Sequence, residues 1–132
     1  MPRNTPADPV GRALAAVRRE GFLPADARWR AHEDNPIQIG HGQTNSQPYT
    51  VEAMLRLLDV RPRQRVLDVG AGSGWTTALL SALVGPGGLV LGLEAVPELA
   101  RWGAENVRAH AVGRADLGRA TIELADPGEL GR

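Results

Sequence analysis

The chain contains no cysteine, which excludes a disulfide framework, a thiolate nucleophile and a cysteine-bearing zinc site. It also lacks net charge. Its 15 basic and 15 acidic side chains balance, so it is without the positive excess expected of a nucleic-acid-coating surface. No apolar run approaches the ~20 residues that a bilayer-spanning helix needs, and the opening MPRNTPADPVGRA has no secretory-type apolar stretch. These absences predict a cytoplasmic protein with neither nucleic-acid nor membrane partners. Lysine is missing too: all 15 basic residues are arginine, which reads as a composition bias beside the plentiful alanine and glycine. What is present, 132 residues of which 42% are hydrophobic, has the size and composition of one globular domain. Such a chain buries roughly two-thirds of the surface it exposes when unfolded.

Residues 1–9 are polar and carry three prolines, so a loose leader is expected there. Asp8 and Pro9 read as an N-cap and a first helical position, with Val10, Ala13, Leu14 and Val17 at helical spacing. Gly21 is the expected stop, after an Arg18–Arg19 pair that suits a helix C-terminus. Residues 22–48 show no sustained period and read as one long irregular stretch, a kind usually functional or disordered. From Thr50 a helix is predicted, with Val51, Met54, Leu55 and Leu58 on one face and Pro62 as its stop. A strand at 65–70, a helix at 74–84, a strand at 89–96, a helix from Pro97 to about Ala111 and a strand at 120–125 follow. That alternation predicts a parallel α/β sheet with right-handed crossovers, the N-terminal half of a doubly wound sheet. Three strands leave sheet edges and one face open, so a fragment of a longer protein, or a chain that needs a partner, is expected. The organisation predicted is an N-terminal segment at 1–49 and an α/β domain at 50–132.

The run Val66-Leu67-Asp68-Val69-Gly70-Ala71-Gly72-Ser73-Gly74 passes from a strand into a helix. Glycine there permits unusual torsions and a close ligand approach, and the helix start offers unpaired amides at its positive dipole end. Glu94 closes the second strand twenty positions after Gly74, where a carboxylate accepts from ribose hydroxyls. A dinucleotide fingerprint would need glycine at 75, and Trp75 stands there. The pattern therefore predicts S-adenosylmethionine, with the plain strand-to-helix turn as the rival reading. Asp68 either touches the methionine end of that ligand or orients the loop.

Two further stretches resemble the protein-L-isoaspartate O-methyltransferases: Ile39-Gly40-His41-Gly42-Gln43-Thr44-Asn45-Ser46-Gln47-Pro48-Tyr49, and VLDVGAGSGW behind it. Phe22-Leu23-Pro24 and Glu33-Asp34-Asn35-Pro36 are similar to upstream elements of the same family, so the likeness runs over about residues 10–132. The resemblance implies a Rossmann-like methyltransferase sheet and S-adenosylmethionine as methyl donor. The acceptor it implies is the free carboxylate of L-isoaspartyl residues in damaged proteins or peptides, methylated as a step of protein repair. It implies further that Thr44 and Ser46 lie on the active-site loop, Ser46 beside the reacting carboxylate. Gly70, Gly72 and Gly74 would form the cofactor loop, Glu94 would bind ribose, and Asp126 would stand near the adenine. The sequence departs from the family at Asn45, where isoleucine is usual, at Trp75 for tyrosine, and at Ala125 and Pro127 for glycines. The alternatives are a methyltransferase for another carboxylate, such as a peptide natural product, and a non-catalytic cofactor-binding fragment needing a partner.

No catalytic dyad is visible, and methyl transfer to an ionised carboxylate requires no strong base. His32, His41 and His110 lack metal-ligand spacing, so no metal is expected. Trp29, Trp75 and Trp102 are expected to pack, with Trp75 able to border the cofactor. Arg61, Arg63 and Arg65 are expected to form a solvated turn, and Arg18–Arg19 a helix end.

Overall fold

A computed structural model describes residues 8–126. Helix α1 spans Pro9–Ala16, and the Asp8 carboxylate caps it by accepting from the Gly11 N–H at 2.9 Å, as the sequence predicts. It ends earlier than expected. Val17 and Arg18 are extended, and a 3₁₀ turn at Arg19–Phe22 takes in Gly21. The reason is burial on both sides of the break. Val17 and Phe22 both enter the core, at 0% and 1% exposed, and Arg19 turns inward with them at 4%. A continuous helix places residues 17, 19 and 22 on different faces and cannot bury all three.

The stretch at 22–48 is not structureless. A 3₁₀ helix at Ala25–Arg30 is followed by an antiparallel hairpin of β1 (Ile37–Gly40) and β2 (Gln43–Asn45). Three successive residues at its tip, Gly40, His41 and Gly42, have φ of 94°, 57° and 71°. Helix α2 runs Pro48–Leu58 and buries Val51, Glu52 and Leu55. Met54 and Leu58, expected on its inner face, are 64% and 57% exposed. The inner stripe of α2 is thus narrower than its apolar content suggests.

The larger sheet contains β3 (Arg65–Val69), β4 (Leu89–Glu94) and β5 (Arg119–Leu124), parallel and in that order. Helices α3 (Trp75–Val84) and α4 (Pro97–Ala111) make the crossovers and cover one face. Almost all of α3 is buried, and its apolar residues lie all round, as befits a central helix. One core holds Val10, Val17 and Phe22 of the N-terminal segment together with Leu79, Val90 and Ile122 of the sheet layer. The opposite sheet face is open: Leu67 is 56% and Val69 52% exposed, beside the half-buried Leu91 and Leu93. Arg61, Arg63 and Arg65 form the expected exposed turn, Arg63 at φ 68°. Among the described residues, no helix is long and apolar enough to cross a membrane.

Candidate functional site

Parallel strands end together, and open α/β sheets bind ligands at their carboxyl ends. At that end the Gly70–Gly74 loop leaves β3 and turns into α3. The Gly70 and Ala71 N–H groups donate to the Leu93 carbonyl at 2.8 and 3.0 Å, which pins the loop to β4. Glu94, 6% exposed, then acts as a clamp: its Oε1 accepts from the Gly72 N–H at 2.8 Å and its Oε2 from the Val96 N–H at 2.9 Å. A carboxylate offers about four lone-pair directions, so two remain for a ligand's hydroxyls.

The three predicted loop glycines do different things. Gly70 has φ 77° and nothing within 4 Å of the point where a Cβ would stand, so its open side is available to a ligand. Gly74, at φ 90°, faces α4 instead, where a Cβ would lie 2.8 Å from both the Gly103 carbonyl and Val107 Cγ2. Gly72 lies between these cases, 3.3 Å from Ile39 Cδ1 by the same measure. Gly103, which the sequence reading passed over, belongs with them: a Cβ there would meet the Gly72 carbonyl at 2.5 Å. A lone glycine inside a helix costs about 1 kcal/mol relative to alanine, and that cost was the available sign of a close approach.

Asp68 lies on the helix side of β3, and its Oδ2 accepts from the Thr76 and Thr77 hydroxyls at 2.9 and 2.7 Å. Burial pushes this carboxyl above the ordinary carboxylate range, the two threonine bonds pull the other way, and the Glu94 charge adds to the rise. These bonds tie Asp68 to the first turn of α3, directly behind the loop. Asp126 is exposed two residues past β5, and the Ala125 N–H donates to the Glu94 carbonyl at 3.0 Å, so it stands at the same end of the sheet. Pro127 lies outside the described residues.

The end of the hairpin lines the site. Thr44 and Ser46 are exposed on either side of Asn45, which is buried at 5%. Thr44, Ser46, Gly70, Gly72 and Ser73 line one cavity of about 60 Å³. Sites that enclose a ligand run to roughly 300 Å³ or more, so a nucleoside-sized ligand has to lie along the open side of the loop. His41 at the hairpin tip places Nδ1 3.8 Å from Glu98 Oε2 in the first turn of α4.

Arg19 corrects the expectation of a helix end. Its Nε donates to Asn45 Oδ1 at 2.6 Å, and its other nitrogens reach the Glu33, Asn35 and Ser46 carbonyls at 2.9, 2.7 and 3.2 Å. Burial lowers this guanidinium below its ordinary value, and the Asp34 charge opposes that. The available sign was Gly21-Phe22-Leu23-Pro24 just behind it, which no helix could continue through. Trp75 packs as expected, 4% exposed, donating to the Val17 carbonyl at 3.2 Å with the Arg19 guanidinium 5.6 Å from its ring. Trp29 does not pack: it is 71% exposed on its 3₁₀ helix, with an indole bond to the Asp26 carbonyl at 3.1 Å. Among the described residues, no group of three or more histidines and acids is arranged to hold a metal ion.

Comparison with known proteins agrees with this geometry. A protein-L-isoaspartate O-methyltransferase of Aeropyrum pernix is 54% identical over 95 residues, 72% of this chain and 36% of its own length. That of Hyperthermus butylicus is 40% identical over 124 residues, 89% of this chain and 50% of its own. The chain thus spans half the length, or less, of these curated relatives. A Plasmodium falciparum protein-L-isoaspartate O-methyltransferase, crystallised with S-adenosyl-L-homocysteine, superposes with a TM-score of 0.78 at 26% identity over 92% of this chain and 57% of that one. The fold is therefore the Rossmann-like α/β fold of the methyltransferases, with three parallel strands among the described residues. The family model of protein-L-isoaspartate (D-aspartate) O-methyltransferase matches residues 3–131, and with nearly every residue inside that match the chain belongs to this family.

Proposed function

We propose that the chain is the donor-binding part of a cytoplasmic methyltransferase that transfers a methyl group from S-adenosylmethionine to the side carboxylate of L-isoaspartyl residues in damaged proteins and peptides. The observation that carries this reading is the meeting of the exposed Thr44 and Ser46 with the glycine loop around a single cavity. Family membership supports it, as does the S-adenosyl-L-homocysteine held by the Plasmodium relative. The residues present suit such a donor: the side of Gly70 where a Cβ would stand is open, and Glu94 keeps two acceptor directions beside it. Once bound, the donor supplies a methyl group on a cationic sulfur.

In this reading Gly70 and Gly72 give the donor access to the main chain, Glu94 accepts from its ribose hydroxyls and Asp126 borders its base. Gly74 and Asp68 act behind them, holding the loop against α4 and α3. Ser46 and Thr44 donate hydrogen bonds to the acceptor carboxylate and orient one oxygen toward the methyl group. That oxygen is ionised at neutral pH, so the chain need not remove a proton. Alignment and exclusion of water then account for the acceleration. Residues 1–49 thus supply the acceptor loop and residues 50–132 the donor site, a division of roles across one shared core.

The test is methyl ester formation on paired peptides that differ only in isoaspartate or aspartate at one position. We expect methylation confined to the isoaspartyl peptide, lost by at least about tenfold in Ser46→Ala; equal labelling of both peptides would refute the acceptor assignment. The half-exposed Leu67 and Val69 favour one second reading, a chain that binds donor but turns over only with more polypeptide on that sheet face. Calorimetric binding of S-adenosyl-L-homocysteine without any turnover is its signature.

A further inference from the structure

We propose that Arg19, Asn45 and Ser73 form a positioning chain that couples the hydroxyl loop at 44–46 to the glycine loop at 70–74, so that a ligand seated on one loop orders the other. The ligand clause rests on the donor-binding reading above; the coupling itself does not. Asn45 is the link. Arginine carries only donors, so the amide must turn Oδ1 toward Arg19, at 2.6 Å from Nε, which leaves Nδ2 to donate to Ser73 Oγ at 3.2 Å. Ser73 is 3% exposed within the glycine loop, and its carbonyl in turn accepts from Asn106 Nδ2 of α4 at 3.0 Å. One buried side chain therefore ties the cation to the loop that fronts the donor site.

Arg19 does the complementary work on the backbone. Its Nη2 donates to the Asn45 and Ser46 carbonyls at 3.3 and 3.2 Å, the two that flank the Ser46 Cα. The same guanidinium gathers the Glu33 and Asn35 carbonyls, so the hydroxyl loop is registered against the 33–35 segment. An isoleucine at position 45 could fill the space but could make neither bond, so the amide makes this contact a directional one.

Amide hydrogen exchange at residues 44–46 tests it, with the amides of β4 as the global control. Asn45→Ile fills the site and cuts both bonds, Ser73→Ala cuts one, and Asn45→Asp keeps an acceptor for Arg19 while the Ser73 hydroxyl becomes the donor. We expect Ser73→Ala to speed exchange at 44–46 about fivefold, the factor that one net hydrogen bond carries, and Asn45→Ile, which also strips the Arg19 Nε of its acceptor, to speed it more. The double variant should not exceed Asn45→Ile alone, and Asn45→Asp should stay within about twofold of the parent. S-adenosyl-L-homocysteine should slow exchange at 44–46 in the parent and in Asn45→Asp, and leave it unchanged in Asn45→Ile although the ligand still binds. Additive single effects, or an Asn45→Ile loop that keeps its protection and its ligand response, would overturn the proposal. A parent chain that fails to bind the ligand would overturn the donor reading, while the ligand-free cycle would still decide whether the two loops are coupled.

Discussion

Two glycines four residues apart separate backbone freedom from close packing. At Gly70 the positive φ is the whole requirement, since a methyl group would project into open space. Gly70→Ala should cost about 1–2 kcal/mol of stability, the penalty of the left-handed region, while obstructing the open side of the loop. At Gly74 the same torsional penalty is joined by two contacts at 2.8 Å, one of them to backbone that cannot move alone. Gly74→Ala should cost about 3 kcal/mol or more. Urea unfolding ranks the two, and calorimetry with S-adenosyl-L-homocysteine reads the consequence at Gly70. A Gly70→Ala protein that binds like the parent would remove that glycine from the donor site.

Elements meet in ways that local periodicity does not encode. The 3₁₀ turn at Arg19–Phe22 docks on α4, where the Phe22 and His110 ring centroids are 6.0 Å apart and His110 Nε2 is buried without a hydrogen-bond partner among the described residues. Burial, and then the Arg114 charge, depress the His110 imidazolium below its ordinary value of about 6.5; the Asp116 charge opposes them. The unfolded chain therefore takes up a proton that the folded chain resists. Stability is full above about pH 6.5 and falls as the pH drops below it, through the depressed folded value. Urea titrations at pH 7.5 and 5 should show that loss, and His110→Phe should reduce it; an unchanged pH dependence would mean that another group controls it. The helices and strands from α2 onward were legible in the sequence to within one or two residues at most ends, because each is an apolar-rich run set off by its own Gly or Pro punctuation. The hairpin of β1 and β2 was not. Its strands span four and three residues, too short for a period, and its turn residues served equally well as signs of a loop.

At the scale of the molecule, one side of the sheet is finished and the other is not. Val90 at 0% and Ile122 at 9% exposed lie under α3 and α4, whereas Leu67, Val69 and Leu89 stand 56%, 52% and 38% exposed on the opposite face. An apolar strand face of this kind invites association. The double variant Leu67→Thr/Val69→Thr should lower concentration-dependent association in sedimentation velocity. Threonine suits a strand and little buried area is lost, so the stability cost should stay below about 2 kcal/mol. Association that persists undiminished would place the sticky surface elsewhere, for instance at the exposed Met54, Leu57 and Leu58 of α2. The sequence by itself determined the α/β order, the parallel pairing and the glycine loop facing Glu94, because those follow from short-range pattern and the handedness of L-chains. It also marked Thr44 and Ser46 through their likeness to a family. Only the tertiary structure decided that Arg19 is a buried hub, that Asn45 links two loops and that Gly74 serves packing. Each depends on what lies across a contact between segments distant in the chain, as when Arg19 reaches Asn45 and Asn45 reaches Ser73. Spacing within one segment carries no record of such a neighbour.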